Sequence, residues 1–104
     1  MAGKANGSRW MEGLSDEDLM FIKRFVLASG SLKALAENYG VSYPTIRLRL
    51  DRLIEKIKVL DDSEIQDEFE RKVRALFADG KIPADAMKEL LTAYRKELER
   101  EEKS

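Results

Sequence analysis

The nine residues ENYGVSYPT, at positions 37–45, constrain the fold more than any other part of the sequence. Gly and Pro should end a helix here, yet helical periodicity resumes at once after Pro44. Gly40 suits the left-handed backbone of a tight turn, and Ser42 suits the N-cap of a new helix. Two helices joined by a turn of about three residues are typical of a helix-turn-helix unit, with an ordinary helical hairpin as the alternative.

Three helices are predicted around this turn, over approximately residues 16–29, 32–38 and 43–60. Ser15 and Ser31 are the expected N-caps of the first two, and Gly30 is the expected end of the first. We expect Phe25 and Leu50 at the centre of the unit. The third helix has apolar residues at spacings of 3 and 4: Ile46, Leu50, Leu53, Ile54 and Ile57.

Two further helices are predicted after residue 62. A capping box of Ser63 and Gln66 begins one, and Pro83 begins the other. Since such short helices are unstable alone, their hairpin should pack on the first helix, on another subunit, or on both. The predicted fold is therefore all-α, with a disordered N-terminal arm (residues 1–9), a helix-turn-helix domain (10–60) and a C-terminal helical hairpin (61–104), which we expect to mediate oligomerisation.

Composition narrows the possible functions. The 104 residues contain no Cys and no His, and no phosphate-loop or dinucleotide motif is present. We therefore expect no enzyme activity, no cofactor, no metal site and no small-molecule substrate. No apolar run is long enough for a bilayer span or a signal peptide, so we expect no membrane association and a cytoplasmic location.

Charge is unevenly distributed, although the net charge is only −1. Residues 1–60 contain ten basic and seven acidic residues, whereas residues 61–104 contain nine and thirteen. The excess of basic residues in the predicted helix-turn-helix region favours double-stranded DNA as a partner.

The residues expected to contact DNA lie at the start of the second helix and along the first half of the third. Each has a second interpretation: Ser42 is a cap, Tyr43 could lie on the turn, and Arg49 and Arg52 could pair with Glu55 or Asp51. Leu48 could contact a thymine methyl group or a protein. The predicted DNA-binding residues are Lys33, Ser42, Tyr43, Thr45, Arg47, Leu48, Arg49 and Arg52.

The run GVSYPTIRLRLDRLI resembles region four of bacterial sigma factors. A longer segment, over about residues 10–60, resembles the domain of unknown function 2089 family of bacteria and archaea. Its Gly-Ser-Leu-Lys step and Ser-Tyr-Pro-Thr start match residues 30–33 and 42–45. Many members carry an N-terminal zinc ribbon, which this chain lacks. The segment LFADGKIPADAMKELL is similar to the short C-terminal domains that end many bacterial proteins and that are thought to mediate oligomerisation.

The resemblance implies transcriptional regulation, and the sequence supports a dimeric DNA-binding regulator. The alternative is a helical protein-interaction module that does not read DNA and that docks, for example, on the transcription machinery. We expect a homodimer because the helices carry more apolar surface than one helix-turn-helix unit buries. Its predicted interface is formed by Met20, Leu27, Phe69, Val73, Leu90, Leu91 and Tyr94.

Overall fold

A computed structural model describes residues 10–61 and 67–103 of the chain. Within these ranges all regular elements are helices, which confirms the predicted all-α fold. A short helical turn at residues 10–12 is followed by α1 (Asp16–Leu27), α2 (Leu32–Tyr39), α3 (Tyr43–Asp61), α4 (Glu68–Ala78) and α5 (Ala84–Lys103). The predicted arm at residues 1–9 lies outside the described residues.

The predicted local signals set the ends of the first two helices. Ser15 Oγ accepts a hydrogen bond from the Asp18 N–H at 3.0 Å, and the Asp18 carboxylate accepts one from the Ser15 N–H at 3.1 Å. Gly30 and Gly40 have φ values of 78° and 71°, as their turns require. Helix α1 ends two residues earlier than predicted, because Ser29 also has a positive φ, of 57°.

The helix-turn-helix unit has one hydrophobic core, centred on Phe21, Leu35 and Ile46, each of which is 1% exposed. Phe25 and Leu50 lie partly buried at the edge of this core, so placing them at its centre was wrong. Ile54 is 40% exposed and does not continue the buried stripe of α3. Helix α1 packs against this core through the face that carries Phe21. Its opposite face, which includes Val26 and Leu27, is exposed.

The hairpin packs mainly on α3, which was not among the surfaces predicted for it. Arg71 Nη1 donates to the Val59 carbonyl at 2.7 Å, and Arg74 Nη1 donates to Glu55 Oε1 at 2.8 Å. Further along, Arg52 donates to the carbonyl of Phe77. As the contacts move toward the end of α3, they move toward the start of α4. Helix α4 therefore lies antiparallel to the C-terminal half of α3.

A small second core holds the hairpin together. Val73, Phe77, Met87 and Leu91 are its buried residues. Helix α4 begins at Glu68 with Asp67 as its N-cap, later than the predicted start at Ser63; Ser63 and Gln66 lie outside the described residues. The Asp67 carboxylate accepts from two backbone N–H groups of α4 and from Tyr94 Oη at 2.7 Å, which joins α4 to α5.

Candidate nucleic-acid interface

The turn between α2 and α3 places the first residues of α3 at the surface. Gly40 adopts the left-handed conformation at the end of α2, and the Val41 N–H bonds the Ala36 carbonyl at 3.0 Å. Two residues later, Ser42 Oγ accepts from the Thr45 N–H at 3.3 Å and caps α3. This is the arrangement in which a helix-turn-helix unit presents the N-terminal half of its second helix to a DNA groove.

Ser42 and Thr45 form a pair of exposed hydroxyl groups at the start of α3. The Ser42 hydroxyl donates to Thr45 Oγ1 at 2.9 Å, so each group fixes the other. Both residues keep exposed surface, and Tyr43 beside them is 51% exposed. Hydroxyl groups in this position can bind phosphate oxygens in addition to capping the helix.

Arg47 is an exposed cation near the start of α3. Its side chain is 56% exposed, and Nε pairs with Asp51 Oδ1 at 3.3 Å one turn along the helix. An exposed ion pair of this kind is weak, so the guanidinium can exchange Asp51 for a base edge or a phosphate. Lys33, in the first turn of α2, is also exposed and can reach a phosphate.

The same face of α3 is not continuously positive. Asp51 and Asp61 alternate with Arg47 and Lys58, and the exposed side chain of Ile54 lies between them. Leu48 is 41% exposed near the start of the helix. This face therefore carries only part of the excess of basic residues that the sequence has in the helix-turn-helix region.

Arg49 and Arg52 lie elsewhere. The Arg49 guanidinium lies 5.0 Å from the ring centre of Phe21 and 5.1 Å from that of Tyr39, toward α1 and α2. Arg52 lies 4.7 Å from the ring centre of Phe77 and donates to the carbonyls of Phe77 and Ile82. Arg49 and Arg52 therefore face the neighbouring helices, away from Arg47, and their contact with DNA stays a prediction.

The predicted dimer residues divide into exposed and buried groups. Met20, Leu27, Phe69 and Leu90 are 43%, 73%, 43% and 41% exposed. Tyr94 is half-buried and contacts Phe69, with the ring centres 4.5 Å apart. Val73 and Leu91 are 3% and 5% exposed in the core of the hairpin, so assigning them to an interface was wrong for this conformation.

The contact between α1 and α3 includes a half-buried charge pair. Lys56 Nζ lies 2.6 Å from Asp18 Oδ2. Burial alone would raise the pKa of Asp18, but the hydrogen bonds from Lys56 and from Ser15 hold that pKa below its usual value. Asp18 therefore stays ionised and joins the start of α1 to the middle of α3.

Residues 14–60 match the model of a protein family described as domain of unknown function (DUF2089)-HTH. This segment is a DUF2089 helix-turn-helix domain. The match extends from the end of the N-terminal turn almost to the last residue of α3, and it leaves the hairpin outside. No curated protein and no solved structure matches the chain.

The main feature that sequence reasoning missed is the docking of the hairpin onto the DUF2089 domain by charged side chains. Glu55 is only 9% exposed and pairs with Arg74, which also pairs with Glu70 at 2.9 Å. Burial would lower the pKa of Arg74, but the two carboxylates raise it above its ordinary value. The sequence held one signal, since Glu55 lies near the apolar stripe of α3.

Across residues 10–61 and 67–103, no group of three or more Cys, His, Asp or Glu side chains is placed to hold a metal ion. In the same part of the chain, no helix combines the length and apolar character that a bilayer crossing requires.

Proposed function

We propose that this chain is a DNA-binding transcriptional regulator that acts through the first turns of α3, as a homodimer, in the bacterial or archaeal cytoplasm. Its role is binding rather than catalysis. The observation that carries the proposal is the exposed start of α3 immediately after the Gly40 turn in a DUF2089 helix-turn-helix domain. Ser42, Tyr43 and Thr45 would contact the DNA backbone there, and Arg47 would reach a base edge.

The proposed dimer follows from the small reading surface. One helix-turn-helix unit contacts only a few base pairs, so two symmetric copies are the usual means of reaching useful specificity. Val26 and Leu27 are 66% and 73% exposed at the end of α1, and Met20 lies one to two turns earlier. This open apolar face of α1 is the surface that a second copy would cover, with Phe69 and Leu90 of the hairpin as further candidates.

A second function, protein binding without DNA recognition, is favoured by a specific observation. Leu48 and Ile54 are exposed on α3, and Arg47 is already paired with Asp51. Exposed apolar side chains interspersed with charges of both signs are suited to a protein surface.

The test is a fluorescence anisotropy titration of genomic DNA fragments over a series of salt concentrations. Arg47→Ala should lose about 1–3 kcal/mol of specific binding, and Lys33→Ala should weaken binding to all sequences and reduce the salt dependence. Arg95→Ala on α5, whose side chain is equally exposed at 57%, is the matched control and should bind like the parent. If Arg47→Ala and Lys33→Ala also bind DNA like the parent, DNA recognition by this surface is excluded and protein binding is favoured.

Light scattering tests the dimer separately. The intact chain should have twice the monomer mass at high micromolar concentration, and Leu27→Glu should reduce it toward one chain because it places a charge on the apolar face. A parent that remains monomeric at that concentration would exclude the homodimer.

A further inference from the structure

Three basic side chains converge on a cleft that the proposed base-reading surface does not include. The cleft is enclosed by the start of α1, the middle of α3 and the end of α4, and has a volume of about 170 Å³. Its lining residues are Asp18, Phe21, Arg49, Arg52, Leu53, Lys56 and Ala78. At roughly 30 Å³ per water molecule, this space holds five or six waters or one small oxyanion.

The helical spacing explains the convergence. Arg49, Arg52 and Lys56 occupy positions i, i+3 and i+7 of α3, and residues at such spacings lie on one face of a helix. Only one carboxylate, that of Asp18, is among the lining residues, and it pairs with Lys56. The cleft therefore contains an excess of positive charge in a chain whose net charge is −1.

The guanidinium of Arg49 is held in place without a polar partner. It lies over the rings of Phe21 and Tyr39, and within residues 10–61 and 67–103 it makes no hydrogen bond or ion pair. No buried side-chain nitrogen in the described part of the chain lacks a partner, so the Arg49 donors remain open to solvent. A planar guanidinium fixed on aromatic rings and open at its edge is well prepared to bind an oxyanion.

Arg52 is fixed in a comparable way by the hairpin. Its Nη1 donates to the carbonyls of Phe77 and Ile82, which leaves its remaining N–H groups without acceptors among the described residues. The hairpin thus forms one wall of the cleft and orients one of its cations.

We propose that this cleft binds a phosphate group, which Arg49 and Arg52 contact through charge-assisted hydrogen bonds while Lys56 supplies further positive charge. The phosphate could come from a DNA backbone or from a small phosphorylated molecule, and the test distinguishes the two. A ligand here would touch α1, α3 and the end of α4 at once, so its binding would stabilise the docking of the hairpin on the DUF2089 domain.

The test is an NMR titration of the full chain with inorganic phosphate, in which chloride is replaced at constant ionic strength. The Arg49 and Arg52 side-chain signals should shift and saturate. Arg49→Gln and Lys56→Gln should each weaken phosphate binding, by about tenfold for the arginine. Arg95→Gln, which removes the same charge from α5, should bind phosphate like the parent. Circular dichroism establishes that each variant is folded. If Arg49→Gln does not fold, Lys56→Gln is the variant that tests phosphate binding.

A second arm measures DNA affinity for the same variants. If free phosphate binds and Arg49→Gln leaves DNA affinity unchanged, the source is a small molecule. If instead Arg49→Gln weakens DNA binding and phosphate competes with DNA, the source is the DNA backbone. If neither phosphate binding nor DNA affinity differs between the two cleft variants and the Arg95→Gln control, the proposal is wrong and the cations are structural. Saturable phosphate binding by a chain that does not bind DNA would refute the proposed function and leave this inference standing.

Discussion

The DUF2089 domain and the C-terminal hairpin are stabilised in different ways. The domain encloses a core of six buried apolar residues from α1, α2, α3 and the segment before them. The hairpin has four buried residues and is attached to α3 largely by Arg52, Arg71 and Arg74. Apolar burial is insensitive to salt and pH, whereas ion pairs respond to both. We therefore expect apolar substitutions to destabilise mainly the domain, and changes of charge or pH to destabilise mainly the hairpin.

The largest expected effect is the loss of a central side chain from the domain. Phe21→Ala should cost about 3–5 kcal/mol of unfolding free energy, because it leaves a cavity among residues that cannot fully collapse. Leu50→Ala should cost clearly less, since Leu50 is only partly buried. Urea denaturation of both variants measures the difference. Equal losses would mean that the centre of the core has been placed wrongly.

A smaller effect is expected where charges attach the hairpin. Arg74→Met should cost about 1–3 kcal/mol, because it leaves the nearly buried Glu55 with only the exposed Lys58, whose Nζ lies 3.8 Å from Glu55 Oε2. The double variant Glu55→Met with Arg74→Met should recover part of that loss, as replacing a buried ion pair by apolar residues often does. A double-mutant cycle from urea denaturation measures the coupling. If the two single losses simply add, this pair does not hold the hairpin.

The sequence predicted the domain well because apolar spacing, caps and turn glycines agree over residues 15–45. Ser15, Ser31 and Gly40 have their predicted roles, and Gly30 has the predicted positive φ although α1 already ends at Leu27. It did not predict where the hairpin docks, since Arg71 and Arg74 look like ordinary surface residues of a charged helix. Their hydrogen bonds to Val59 and Glu55 exist only once α3 and α4 are adjacent.

Only part of the candidate site could be predicted from the sequence. The exposed start of α3 follows from the Gly-Val-Ser-Tyr-Pro turn, and Arg47 lies where expected. The directions of Arg49 and Arg52 could not be read from spacing, because they depend on the rings of Phe21 and Phe77 in other helices. Likewise, the burial of Val73 and Leu91 depends on α4 and α5 packing on each other rather than on a second copy.

The smallest expected effect is a dependence of the stability of the hairpin on pH. The hydrogen bond from Tyr94 and those from the α4 backbone lower the pKa of Asp67, and the same bond raises the pKa of Tyr94. Because the folded pKa of Asp67 lies below its unfolded value, its contribution is fully present above about pH 4 and is lost as pH falls through the folded value.

Thermal unfolding followed between pH 7 and pH 2.5 measures this contribution. Asp67→Asn should be slightly less stable than the parent at neutral pH and should approach it in acid. Glu89→Gln, at an exposed position in the second turn of α5, is the control and should follow the parent throughout. A constant difference between Asp67→Asn and the parent across the whole range would show that ionisation of Asp67 does not stabilise the hairpin.

The central claim is that the DUF2089 domain binds DNA through the first turns of α3. Backbone amide NMR spectra, recorded while duplex DNA is added at low salt, test it most directly because they report every residue except proline at once. We expect the largest shifts at Lys33 and over residues 42–48, with small shifts throughout α5. Absence of any change at saturating DNA, or shifts concentrated in α5, would contradict the claim.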